Sequence, residues 1–272
     1  MILALNANAA IDQVLFIDRF LPGGVMRPNR SVLSVGGKSL DAAVVIKTLG
    51  GPVEAVSFIA GENGKTLQRL LESKEIPSDL LWVEGETRVS YVIVETEYNR
   101  HSHITTTGYH VSEPDCALFL ERIKQHAPGA AWAVLAGSLP GGAPADFYGQ
   151  QIALLHQFGV KSLIDTSAQA ALGALPASPD IVKMNQAEFC ATFPAHSANL
   201  KEASQEDWIQ ACREVIQIYR IQAFVLTCGK DGILALTPSA AYHAASPLMQ
   251  EVNAAGSGDA VSGTLAYRLS MG

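Results

Sequence analysis

The residue types best suited to chemistry lie near the C-terminus, in Gly256-Ser257-Gly258-Asp259. Three small residues precede one carboxylate. The chain then runs on as a plausible helix, with Val261, Leu265 and Leu269 on one stripe. The spacing predicts a turn into a helix N-terminus, where free backbone N–H groups and the helix dipole attract an anion. Glycine lets a phosphate oxygen approach the backbone where a Cβ would stand in the way. Asp259, in the first turn, would sit beside the bound anion. An amide cradle next to a base is what phosphoryl transfer to a hydroxyl needs. A flexible turn with an acidic helix cap has the same pattern, so other residues must decide.

Further candidates recur along the chain. Asp12 follows the apolar run Ile2-Leu3-Ala4-Leu5, near the end of an expected strand. Gly36-Gly37-Lys38-Ser39-Leu40-Asp41 leads into an apolar helix stopped by Gly50-Gly51. Gly64-Lys65-Thr66 looks like the end of a phosphate-binding loop, but Ile59 stands where that motif needs its first glycine. A loop entering a helix from Lys65 to Lys74 is the better reading. Arg88 could pair with a phosphate, although a surface charge explains a lone arginine equally well. His101 and His103 point the same way on a strand, yet no further ligands stand at zinc-site spacings.

Stepping along the chain, short apolar strands alternate with helices of about a dozen residues. That alternation argues an α/β fold with a doubly wound, mostly parallel sheet. The strands end in small or polar clusters: Asn8–Asp12, Gly137–Pro140, Asp165–Ser167, Lys183–Glu188 and Thr227–Gly232. In such a sheet these clusters converge on one edge, where ligands bind.

The 272 residues form one large domain or two small ones, and 48% hydrophobic content supplies a sizeable core. A net charge of −7 argues against nucleic acid and anionic membranes as partners. No apolar run approaches membrane-spanning length. Four scattered cysteines read as reduced thiols, which fits a cytoplasmic protein.

With these motifs in order, the chain resembles the ribokinase-like (PfkB) carbohydrate kinases over essentially its whole length. Gly256-Ser257-Gly258-Asp259 is similar to the family's anion hole and catalytic aspartate, and Gly36-Gly37-Lys38 to its N-terminal signature. Thr227-Cys228-Gly229-Lys230-Asp231-Gly232 fits the nucleotide loop T/S-x-G-x-x-G. Lys183-Met184-Asn185-Gln186-Ala187-Glu188 fits K-P-N-x-x-E, with methionine in place of proline. Asn8–Asp12, Gly137–Pro140, Asp165–Ser167 and Arg88 resemble the hexose-phosphate branch, the 1-phosphofructokinases and tagatose-phosphate kinases. The resemblance implies ATP and Mg²⁺. It implies Asp259 as base and the N–H groups of Gly256, Ser257 and Gly258 as anion hole. Asp12, Gly36, Gly37, Lys38, Asp41 and Ser138 would hold the sugar, and Arg88 with Lys38 its phosphate. Lys183, Asn185, Thr227, Gly229, Gly232 and Asn253 would hold the nucleotide, with Asn185 and Glu188 reaching Mg²⁺ through water. Segments of about 12–33 and 84–108 resemble a β lid on a single kinase domain, through which two copies could pair.

The branch pattern G-G-K-G-x-N reads here Gly36-Gly37-Lys38-Ser39-Leu40-Asp41. An ionised Asp41 could only accept hydrogen bonds and would repel a nearby phosphate. That favours the alternative of an unphosphorylated sugar or nucleoside as substrate. Family members continue beyond where this sequence stops with helices that help enclose the adenine. A catalytically silent sugar- or nucleotide-binding relative is the remaining alternative.

Overall fold

The computed structural model describes residues 1–98, 100–197, 200, 203–247 and 256–272. Asn253, expected at the nucleotide, lies outside them. The strands and helices in chain order are β1 (Ile2–Asn6), β2 (Ala10–Ile17), β3 (Arg30–Gly36), α1 (Lys38–Thr48), β4 (Val53–Ile59), α2 (Gly61–Ser73), β5 (Ser78–Trp82), β6 (Arg88–Glu95), β7 (Arg100–Thr105), α3 (Glu113–His126), β8 (Trp132–Ala136), α4 (Phe147–Gln157), β9 (Lys161–Asp165), α5 (Ala168–Ala174), β10 (Ile181–Asn185), α6 (Gln186–Thr192), α7 (Pro194–Ser197), α8 (Gln205–Tyr219), β11 (Ala223–Thr227), β12 (Ile233–Leu236), β13 (Ala241–Ala244) and α9 (Ser257–Ser270).

Among the described residues, nine strands form a sheet in the order β13-β12-β11-β10-β9-β8-β1-β4-β5. It is parallel from β11 to β5, and β12 and β13 add an antiparallel edge. Strand β1 is buried along its length and alternates between two cores. Ile2 and Ala4 pack with Leu40 and Ile46 of α1, Leu67 of α2 and Ala266 of α9. Leu3 and Leu5 face the opposite core, with Phe119 of α3, Phe147 of α4 and Phe189 of α6. Both faces are therefore covered by helices, as a doubly wound sheet requires.

A second, four-stranded sheet has the order β3-β2-β6-β7. Its central pair β2–β6 is parallel and its outer pairs are antiparallel. Asp12 belongs to β2 of this sheet rather than to the end of β1. Helix α2 starts at Gly61, earlier than the expected Lys65. Two distant side chains allow this: Glu86 accepts from the Asn63 amide at 2.7 Å, and Thr87 from the Ala60 amide at 2.8 Å.

Local rules set several helix starts. Ser112, Asn185 and Ser204 each form a reciprocal capping box with the acid three residues on. Helix α9 packs closely on α1, because a Cβ on Gly263 would lie 2.7 Å from the Ala42 carbonyl oxygen and 3.0 Å from the Val45 Cβ. We predict that Gly263→Val pushes the two helices apart and costs about 1–3 kcal/mol. Urea denaturation would measure it, and an unchanged midpoint would refute this account of the packing.

Candidate active site

The parallel strands end along one edge of the large sheet, and the first turn of α9 stands there too. Gly256 precedes α9 with φ +81°, a left-handed conformation that favours glycine. The helix ladder begins with the Ala260 amide donating to the Gly256 carbonyl at 2.9 Å. The amides of Ser257, Gly258 and Asp259 lie in the turn before that bond, the region that leaves N–H groups unused. With the N-cap Gly256 they make up the four leading N–H groups of the helix, which include the expected Gly256–Gly258 set.

Behind this turn lies an ionic cluster. Asp165, fully buried at the end of β9, accepts from Lys38 Nζ at 2.9 Å and from Lys183 Nζ at 2.6 Å. Ser262 of α9 donates to the same carboxylate at 2.9 Å. Lys38 also pairs with Glu188 at 2.7 Å. Burial raises the cost of charge on Asp165, but the two lysines outweigh it and hold its carboxyl below the usual range. Burial likewise works against the Lys38 charge, and Asp165 and Glu188 overcome it and raise its pKa. The Lys38 ammonium sits between Asp165 and Glu188 and lines the larger pocket.

Two pockets meet at α9. The larger, of about 690 Å³, is lined by Lys38, Lys183, Asn185 and Glu188, by Thr227, Gly229 and Gly232, and by the Gly256–Asp259 turn. The smaller, of about 290 Å³, is lined by Asp12, Asp41, Ser34 and the apolar Val14, Val44, Val45 and Val92. Gly256 and Asp259 line both. Glycines keep the room clear: a Cβ on Gly36 would overlap the Asp12 carboxylate, and one on Gly258 would sit 2.8 Å from Lys183 Nζ.

Electrostatics differ between the pockets. Burial, then the nearby Asp165, raises the Asp259 carboxyl to about 6 despite the two lysines. Burial raises Asp12 to about 6 as well, with Arg88 opposing. Burial raises Asp41 well above the usual carboxylate range, and Asp259 and Asp12 add to the shift. A protonated carboxyl at this position would offer one donor and one acceptor, as the asparagine of the branch pattern does. Ser39 is explained too: its buried hydroxyl donates to the Leu5 carbonyl at 2.7 Å and accepts from the Ala136 amide at 2.7 Å, tying α1 to β1 and β8.

Arg88 and Ser138 come together around Asn8. Arg88 donates to the Asn8 carbonyl at 3.2 Å, and the Asn8 amide donates to Ser138 Oγ at 3.0 Å. Sequence reasoning left Asp165 and Ser262 out of the site. The Asp-Thr-Ser cluster after β9 is the signal for the first, and no local signal marks the second. His101 and His103 also line the larger pocket, which their spacing alone does not reveal.

A profile described as the pfkB family of carbohydrate kinases matches residues 5–272. The chain belongs to that family. It is a phosphotransferase acting on an alcohol group of a carbohydrate. The 1-phosphofructokinase of Vibrio cholerae is 28% identical over 98% of this chain and 82% of its own length. The D-tagatose-1-phosphate kinase of Bacillus licheniformis is 28% identical over 96% of this chain and 83% of its own. Phosphofructokinase-2 of Escherichia coli, solved in complex with substrates and products, superposes with a TM-score of 0.90 at 23% identity, covering 99% of this chain and 86% of that one. This last likeness concerns the fold.

The ionic cluster yields a prediction. Asp165→Asn leaves two lysines with one carboxylate, and should cost about 3–5 kcal/mol, as breaking a buried pair does. Chemical denaturation would read it; a loss under about 1 kcal/mol would contradict the cluster's role.

Proposed function

We propose that the protein transfers the γ-phosphoryl group of ATP to a hydroxyl of a sugar phosphate of the fructose-phosphate or tagatose-phosphate type. The observation that carries this reading is that Asp259 and its turn line both pockets. A phosphate chain in the larger pocket and a hydroxyl in the smaller one would meet there. The acceptor oxygen attacks the γ-phosphorus while the bond to the β–γ bridging oxygen breaks, and ADP leaves with that electron pair. Asp259 takes the hydroxyl proton, and the amides of Ser257, Gly258 and Asp259 balance charge on the transferring group. Asp12 and Asp41 orient the sugar. Lys183, with the Thr227–Gly232 loop, faces the nucleotide.

Two details support a phosphorylated substrate. Arg88 Nε is buried without a partner among the described residues, and so is Asn8 Oδ1. Buried polar groups are normally satisfied, and a substrate phosphate would accept from the guanidinium. The names of the relatives point the same way.

Asn185 and Glu188 fit Mg²⁺ only through water. Glu188 Oε1 already accepts from Lys38, and Oε2 from the Asn185 amide at 2.8 Å. Among the described residues, no group of three or more His, Cys, Asp or Glu could hold a metal directly. When bound, the ion would supply positive charge to the phosphates. The smaller sheet would act as a lid over the sugar. Its outer face exposes Leu33 and Ile104 and would be the surface for a second copy. Four unpaired thiols support a reducing, cytoplasmic setting.

A kinase of unphosphorylated sugars is the second reading, favoured by three acids around the smaller pocket. Arg88→Ala separates the two. On the first reading KM for the sugar phosphate rises about 10- to 100-fold, the worth of a charge-assisted contact; indifference supports the second.

Asp259→Asn tests the chemistry itself. ADP release should fall by about 10²–10⁴-fold with sugar binding retained, and near-normal turnover would overturn the assignment. Asp259 must be ionised to act, and its carboxyl lies at about 6. We therefore expect kcat/KM of the wild type to fall as pH drops through this value. A profile flat to well below it would contradict the role.

A further inference from the structure

His101 and His103 are the one chemical motif that the proposed reaction leaves unused. Both stand on β7, the edge strand of the smaller sheet. Their rings lie on the same face, edge to face, with centroids 5.3 Å apart. The register identifies that face. His103 pairs with Val92, and Val92 with Val14. Those two valines wall the pocket of Asp12 and Asp41. The histidines therefore stand on the inner face, and both line the larger pocket opposite the first turn of α9.

Charge accounting shows what this position lacks. The other cationic side chains of the pocket, Lys38 and Lys183, are already paired with Asp165 and Glu188. These four charges cancel, and Asp259 adds a negative one. A phosphate chain entering there meets the α9 amides, but its own charge meets no surplus cation. Among the described residues, the two imidazoles line the pocket with no carboxylate partner. Imidazole donates to phosphate oxygen, and imidazolium does so with charge assistance.

We propose that His101 and His103 bind the phosphate chain of the nucleotide from the smaller sheet, completing across the cleft the anion site that the α9 amides form on the other side. The inference rests on the kinase reading and adds to it a nucleotide contact from the sheet assigned to the sugar. Partial burial, then the neighbouring His101, lowers the His103 pKa; a phosphate would favour the protonated ring. Binding then takes up a proton, and affinity tightens as pH falls. The groups facing the pair are Lys38, Lys183, Glu188 and Asp259 across the pocket, while the Arg100–Glu95 ion pair lies on the opposite face of the small sheet. Protonation of Asp259 has the same sign, so the comparison must be between variants at each pH.

The experiment is calorimetric titration with MgATP from pH 6 to 8.5, on the wild type and on His101→Ala/His103→Ala. The double variant should bind about tenfold more weakly at the acid end, the worth of a charge-assisted contact. The gap should close at the alkaline end, and KM for the sugar phosphate should stay unchanged. Both residues are exposed, so the melting midpoint should hold; if it drops, His101→Gln/His103→Gln replaces the alanine pair. Equal affinities at every pH would overturn the inference, and so would a constant loss, the mark of a packing role. A wild type that binds and turns over while the variant matches it sinks this inference alone. A wild type that binds no MgATP sinks the kinase reading and the inference together.

Discussion

The Asp165 carboxylate holds the site together. It is fully buried and takes an ammonium from each side, Lys38 from the start of α1 and Lys183 from β10. It also receives the Ser262 hydroxyl from α9. Three elements whose residues line the larger pocket are thus tied to one point at the end of β9. A buried ionic cluster adds little stability over a well-packed apolar one, whereas removing a single member leaves charge unpaired in low dielectric. Its physical contribution is placement. The ion pairs hold both lysines against the first turn of α9.

Small residues follow from that constraint. A Cβ at 258 would displace Lys183 Nζ from beneath α9. With Asp12 turned inward from β2, only glycine fits at 36. The acids obey similar logic. Asp12, Asp41 and Asp259 converge on one small cavity with valine walls, and burial raises all three. The same crowding disfavours charge on each of them. The fold keeps this acidic cavity apart from the lysines and joins the two through Asp259.

The sequence made the alternation of strands and helices legible, because β1, β4, β8, β9, β10 and β11 of the large sheet are mostly buried and read as short apolar runs. The Gly256–Asp259 turn, the Thr227–Gly232 loop and the Lys183–Glu188 segment were legible from residue type and order. What stayed hidden is non-local. Lys38 lies 127 residues from Asp165 and 150 from Glu188, so its ion pairs leave no local trace. The early start of α2 depends on Glu86 and Thr87, which are remote in sequence. The Asp41 departure reads as a new negative charge, because the acids that crowd it, Asp12 and Asp259, come from β2 and α9. The histidines of β7 showed their common side but not what that side faces.

The central claim is spatial: the amides at the start of α9 meet the migrating phosphoryl group while Asp259 meets the acceptor hydroxyl. Its most direct test is a crystal structure with ADP, aluminium fluoride and a sugar phosphate, a mimic of the transition state. The account predicts the planar fluoride within hydrogen-bonding distance of the Ser257, Gly258 and Asp259 amides, with the sugar hydroxyl on Asp259 Oδ. A fluoride bound elsewhere, or an Asp259 turned away from the sugar, would contradict it.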